Sequence, residues 1–247
     1  MKKMHHLQIE SGQIGEFVIM PGDPGRCHLI AEHFENPQLI AQSREYVTYT
    51  GKYKGLTVSV TSTGMGCPSA AIALEELIMS GAKYLVRLGT TGALQKNINL
   101  GDIIIPTSAV RLEGTSVEYI PIEFPAVADI DIVDALVKAT HNKNLKSHIG
   151  IIMSHDAFYK GSVFADPDFL KREQVWIDSN VLSVENESSA LFTIGYLRKV
   201  KVGTILTAVA NHLTREVVTD EEKINPIFHQ MTDLCLEAFK NIEKEQK

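Results

Sequence analysis

"YLVRLGTTGAL", residues 84–94, decides how this chain is read. Tyr84, Leu85, Val86 and Leu88 make an apolar run of strand length, and a single arginine, Arg87, interrupts it. Gly89-Thr90-Thr91-Gly92 follows at once and reads as a loop at the strand's end. An unpaired guanidinium in such a strand would cost several kcal/mol even after relaxation. Arg87 therefore implies an anion close by.

Working outward, similar apolar runs recur at 16–20 (EFVIM), 56–60 (LTVSV), 102–106 (DIIIP), 148–153 (HIGIIM) and 202–210 (VGTILTAVA). Helical patterns lie between several of them. The segment 68–81 opens on Pro68, closes on Gly81 and sets Ala71, Leu74 and Ile78 on one face. A second pattern starts at Glu187. A third starts at Ile224, with Ile227, Met231, Leu234 and Phe239 near one side. Strands alternating with helices predict an α/β domain around a mostly parallel sheet. No repeat, low-complexity segment or Pro/Gly/Ser-rich linker divides the chain, so one domain over residues 1–247 is expected. In such sheets ligands bind beyond the carboxyl ends of the strands.

Of the 247 residues, 44% are apolar, enough for a sizeable core, and the formal charge of -6 argues against nucleic-acid or membrane-surface partners. Cys27, Cys67 and Cys235 are odd in number and lack metal-ligand spacing, which predicts reduced thiols in a cytoplasmic protein. The N-terminal segment has no apolar h-region of a signal peptide, and no run nears the roughly 20 apolar residues of a membrane span.

Two further segments offer anion chemistry. In "MPGDPGR", 20–26, Gly22 permits close backbone approach, Asp23 is an N-cap candidate, Pro24 can open a helix and Arg26 falls in its first turn. In "SREYVTY", 43–49, Arg44 stands beside a β-rich stretch. Each alone is weak, since a lone arginine after a strand is more often a surface or ion-paired residue and a Gly-Asp-Pro turn is usually just a turn. Three arginines with glycine-permitted backbone donors and threonine hydroxyls fit one phosphate, which arginine grips with forked donors.

"PGDPGR", "SREY", "STGMGCPSAAIALEEL", "RLGTTGALQ", "NLGDIIIPTSAVR" and "EFPAVAD" resemble, in order, segments of the nucleoside phosphorylase-I superfamily. The resemblance runs from "HHLQI" to the C-terminal helix and is nearest to the uridine-cleaving branch. It implies an α/β three-layer sandwich around a mixed, distorted central sheet. It also implies a homo-hexamer, a trimer of dimers, that phosphorolyses a nucleoside, uridine favoured, to free base and ribose 1-phosphate. Phosphate would be held by the residues matching Gly22, Arg26, Arg87 and Thr90, with Arg44 reaching over from a neighbouring subunit.

The segment "LSVENESSALF", 182–192, matches the family's ribose signature with Glu185, Asn186 and Glu187, where the middle residue is usually methionine. Glu187 would take the ribose hydroxyls, or equally serve as a capping acid at a helix start. His6 would contact the 5′-hydroxyl of a neighbour's nucleoside. Phe158 matches an aromatic that packs on base or sugar. Ser162 and Phe164 stand where uridine enzymes carry the glutamine and arginine that read uracil, which predicts weak discrimination among bases. Asn211 replaces the aspartate with which hexameric purine enzymes protonate N7, so adenosine should be a poor substrate. No cofactor is implied, phosphate being a co-substrate. A structural potassium ion is admitted at a dimer interface, on Glu45 and Ser69. Alternatives from the same residues are a purine nucleoside phosphorylase and a non-catalytic nucleoside-binding homologue. A nucleosidase is disfavoured by the arginines.

Overall fold

Strand β5, Tyr84–Ala93, is the axis of the computed structural model, which describes residues 3–245. It runs on through the glycine-threonine segment expected to be a loop. One edge explains this, because β10 (Lys201–Asn211) pairs parallel to β5 from Tyr84 as far as Ala93 and holds residues 89–92 in the ladder.

An 11-stranded sheet forms around that pair. On one side of β5 lie β1 (Phe17–Pro21) and β4 (Leu56–Thr61), both parallel. The edge is a meander, with β3 (Tyr46–Tyr53) and β2 (Glu35–Ser43) antiparallel. The turn joining β3 to β4 is Lys54-Gly55, both with positive φ (48° and 82°), the left-handed pair that matches strand twist in a two-residue hairpin. On the other side, β10 pairs antiparallel with β6 (Ile103–Leu112), which pairs with β8 (Ser147–His155), which pairs with β9 (Ser183–Glu185), which returns to β5. These five strands close a small ring. The sheet is therefore mixed, not mostly parallel, because tight hairpins and the ring closure need antiparallel partners. Strands β7 (Ala126–Val127) and β11 (Glu216–Val217) are short additions on β6 and β10.

Helices cover both faces. The period of two along β5 sends Val86 and Leu88 into one core with α1 (Pro24–Ala31), α4 (Ile130–Asn142) and α8 (Glu221–Glu245). Leu85 enters the other, with α2 (Cys67–Met79), α7 (Ser188–Arg198) and the N-terminal Leu7 and Ile9. The expected helix starts hold at α1, where the Asp23 carboxylate accepts from Gly25 N–H at 2.9 Å and Pro24 is the first helical residue. In α2 Pro68 follows Cys67, and Gly81, φ 111°, lies just past the end. Helix α8 begins three residues before Ile224, where Asp220 accepts from Glu222 N–H. Short α3 (Thr115–Tyr119), α5 (Phe169–Arg172) and α6 (Gln174–Asp178) fill the connections.

Candidate active site

The edge of β5 away from β10 changes partner partway along. It pairs with β1 up to Leu88 and with β9 from Gly92, leaving residues 89–91 without a strand on that side. The loop after β1 carries Gly22 and leads into α1 with Arg26 in its first turn, and the segment after β9 carries Asn186 and Glu187. Such a divergence of strands is where open α/β sheets bind ligands.

Arg87 lies beside this gap, only 5% exposed, and meets anions of its own chain. Its Nε donates to Glu185 Oε2 at 3.0 Å and its Nη2 lies 2.5 Å from Glu187 Oε2. Burial opposes its charge, but Glu187 and Glu185 outweigh that and hold its pKa above the ordinary value. The guanidinium is not fully used. Nη1 is buried and unpartnered, and it lies 3.9 Å from where a Cβ on Gly22 would sit. Gly22 thus leaves the last donor of Arg87 open on the side of the β1 loop. Arg26 stacks on Phe228, 4.0 Å above the ring centroid; burial lowers its pKa, Asp23 opposes, and nearby Arg87 lowers it further. Two guanidiniums close enough to repel, one with a spare donor, favour an anion between them. The first-turn amides of α1 are not part of this, since Asp23 already takes Gly25 N–H and Arg26 N–H. Thr90 is half-buried on β5 within the gap.

The acids divide their work differently from the expectation. Glu185, not Glu187, caps α7: its carboxylate accepts from Glu187 N–H at 3.0 Å, from Ser188 N–H at 3.0 Å and from the Ser154 hydroxyl, besides Arg87. That saturates it, so the geometry makes it a support for Arg87 and the helix rather than a ribose ligand. Among the described residues Glu187 accepts from Gly66 N–H, at 2.7 Å, in addition to its Arg87 contact. Gly66 holds φ 85° at the start of α2, a conformation a side chain would strain. Burial raises the Glu187 pKa against the pull of Arg87. Asn186 turns its amide away to donate to His155 O, and its own carbonyl accepts from the Cys67 thiol at 3.1 Å.

Arg44 and His6 bond none of Arg87, Glu185 and Glu187. Arg44 is exposed at the turn between β2 and β3, with φ 55°. His6 Nδ1 bonds Glu76 Oε1 at 2.7 Å, ten residues along α2 from Gly66, or about 15 Å of helix. Glu45 and Ser69 are brought together: the Ser69 hydroxyl is 2.9 Å from Glu45 Oε1 and 2.6 Å from Thr63 O.

The base-side expectations change most at Asn211. It is 1% exposed and its amide is fully engaged: Nδ2 donates to Gln95 O and Ile98 O, and Oδ1 accepts from Leu213 and Thr214 N–H. In this conformation it brackets two loops and has nothing left for a base. Phe158, 64% exposed, packs edge-on against Tyr159. Ser162 Oγ accepts from Phe164 N–H at 3.3 Å, and Phe164 is exposed with its ring 5.9 Å from that of His212.

His155 and His212, which the sequence patterns do not single out, border this region. His212 follows β10 and extends its ladder, its N–H donating to Ala93 O at 3.0 Å. Its ring lies over Gly92 so closely that a Cβ there would be 2.2 Å from Nε2. Burial first, then His155, pushes its pKa down to about 4, so it is neutral at physiological pH. The signal in the sequence is the same as at Arg87, a polar residue set against a long apolar strand. Cys67, Glu113 and Asp156 also cluster. However, Glu113 is occupied by Ser116 and Ser189, and burial raises the Cys67 thiol's pKa.

Residues 16–241 match the model of the phosphorylase superfamily. A uridine phosphorylase of Treponema pallidum is 42% identical over 215 residues, 85% of this chain and 83% of that protein. A guanosine phosphorylase of Halorubrum lacusprofundi is 40% identical over 211 residues, 85% of each. The crystal structure of a uridine phosphorylase from Vibrio fischeri superposes with a TM-score of 0.87 at 33% identity, covering 96% of this chain and 97% of the other.

Proposed function

The chain belongs to the phosphorylase superfamily, and from that premise we propose that it is a nucleoside phosphorylase, a pentosyltransferase that splits a nucleoside, uridine favoured, with inorganic phosphate. The observation that carries the reading is the half-used guanidinium of Arg87. Two of its nitrogens are fixed by Glu185 and Glu187, while Nη1 is buried, unpartnered and next to Gly22. Phosphate takes Nη1, with Arg26 and Thr90 beside it. Glu187 keeps acceptor capacity for the ribose hydroxyls. The ion pair of Arg87 with Glu187 then fixes the group that holds the nucleophile against the one that holds the sugar, which is how positioning lowers a bimolecular barrier. The C1′–N bond breaks with its electron pair leaving on the base, and a phosphate oxygen donates the pair that forms the new C1′–O bond. No covalent enzyme intermediate is needed.

The site is completed by a second copy. Arg44 projects from an exposed hairpin tip and bonds none of Arg87, Glu185 or Glu187, and His6 is held far along α2. A groove of about 420 Å³ lies beside His6, Ile72, Met79 and Tyr119. A hexamer built as a trimer of dimers accommodates both. The oxygens of Glu45, Ser69 and Thr63 suit a hard monovalent cation such as potassium, which would hold the β4–α2 loop and take no part in bond exchange. Free, buried Cys27, Cys67 and Cys235 accord with a cytoplasmic place in nucleoside salvage. Among the described residues no helix is long and apolar enough to cross a membrane.

A second reading, phosphorolysis of a 6-oxopurine nucleoside, is favoured by the loss of the uracil-reading pair at Ser162 and Phe164 and by similarity to a guanosine phosphorylase. The test is incubation with uridine, thymidine, inosine, guanosine or adenosine, with and without phosphate. Phosphate-dependent release of ribose 1-phosphate is expected, largest for uridine. Free ribose would identify a nucleosidase, and no product a binding protein.

A further inference from the structure

Ser162 and Phe164 remove the amide and guanidinium expected to read the base, yet the base end of the gap is not without polar groups. His212 is 3% exposed, and its two ring nitrogens differ. Nδ1 accepts from Val163 N–H at 3.4 Å, so in the neutral ring the proton resides on Nε2. Nε2 has no bonding partner among the described residues, and it lies over the Cα of Gly92. The period of two puts Gly92 on the same face of β5 as Thr90, about 6.6 Å further along the strand, roughly the span of a ribose. The same histidine touches the segment that carries the two replacements: its Nδ1 is bonded by Val163 and its ring faces Phe164. At the start of the same turn, His155 packs on Gly161 so tightly that a Cβ there would lie 1.8 Å from the ring. The turn 161–164 is thus held against two imidazoles, and His212 is the one whose donor is defined by a bond to its other ring nitrogen and left unused.

We propose that His212 is the specificity-determining residue of this enzyme, donating Nε2–H to an exocyclic oxygen of the base and selecting oxo bases, uracil and 6-oxopurines, over amino bases. The proposal rests on the phosphorylase reading for its catalytic consequence. When the C1′–N bond breaks, the electron pair spreads from the ring nitrogen onto that oxygen, and a buried donor there stabilises the leaving anion. A fixed donor facing the amino group of adenine or cytosine would find no acceptor at that position, which is where hydrogen-bonding sites discriminate most strongly. Glycine at 92 is required for the ring to reach this place. His155 acts through the turn as a positioning residue.

The experiment compares wild type, His212→Phe and His212→Gln, the last keeping an N–H donor of similar reach. Two readouts are used: kcat/KM for uridine, inosine, cytidine and adenosine, and equilibrium binding of uracil, hypoxanthine and adenine in the presence of phosphate. In the phenylalanine variant the preference for oxo over amino compounds should fall about 10- to 100-fold in both readouts, while inorganic phosphate binds as in wild type. The glutamine variant should retain most of the preference, and it serves if the phenylalanine variant fails to fold. Unchanged preference in the phenylalanine variant, or equal loss in both variants, overturns the proposal. A wild type that binds oxo bases selectively but releases no ribose 1-phosphate would instead overturn the phosphorylase reading and leave the role of His212 standing.

Discussion

Replacing Arg87 by alanine tests the centre of the site, and the structure changes what should happen. Side chains of Arg87, Glu185 and Glu187 are 6%, 2% and 6% exposed, so the substitution strands two carboxylates away from water. Breaking one side of a buried ion pair costs about 3–5 kcal/mol, a large part of the roughly 5–15 kcal/mol that holds a domain together. For a chain of this size that is a fall in Tm of roughly 6–20 °C. Glu185 keeps its bonds to Ser154, Glu187 N–H and Ser188 N–H, so Glu187 is the group left worst off. Its pKa, already raised by burial, rises further without the arginine. A carboxyl with a raised native pKa is stabilised where it is protonated, so the variant's deficit should be smaller near pH 5 than near pH 8. Adding Glu187→Gln should recover at least about 1 kcal/mol relative to the sum of the single variants. The assay is denaturant unfolding of the four proteins at the two pH values. Below the variant's unfolding temperature, ribose 1-phosphate release should be lost at every phosphate concentration, with Arg87→Lys partly active because it keeps charge without the fork. A variant within 1 kcal/mol of wild type, strict additivity, or near-normal turnover at moderate phosphate would refute the argument.

His212, with a native pKa of about 4 against an ordinary 6.5, takes up its proton more readily in the unfolded chain. Stability should be complete above pH 6.5 and decline by up to about 3 kcal/mol as pH falls toward 4, a slope that His212→Gln flattens in urea titrations. Asn211→Asp exchanges the donor to Gln95 O and Ile98 O for a carboxylate oxygen facing two carbonyls. It should cost about 2–4 kcal/mol, and a Tm unchanged by calorimetry would show that the bracket does not form. If Arg44 and His6 complete a neighbour's site, Arg44→Ala and Glu187→Gln chains, each impaired alone, should regain activity when mixed during refolding. An active monomer by light scattering is the contrary result.

What the sequence determined is local. The apolar runs locate β1, β4, β5, β6, β8 and β10 to within a few residues, apart from the strand ends, because burial and pleat act on neighbours along the chain. Asp23-Pro24 and Gly81 mark helix ends for the same reason, since caps are made by adjacent residues. Arg87, by residue type and place in an apolar run, is enough to announce a buried charge. Its partners, Glu185 and Glu187, are about a hundred residues away, and nothing local says that they rather than a bound phosphate balance it first. The loop expected at Gly89-Thr90-Thr91-Gly92 is strand because β10 supplies the hydrogen bonds, and the sheet is mixed because β9 and β6 close a ring. Asn211 looks like a base ligand by position and is a bracket by geometry. His212, one residue further on, holds the open donor. In each case residue type sets what a side chain can bond, while the tertiary structure decides which of those bonds are already made, because a buried polar group takes whatever partner the fold brings within 3 Å, roughly the length of a hydrogen bond.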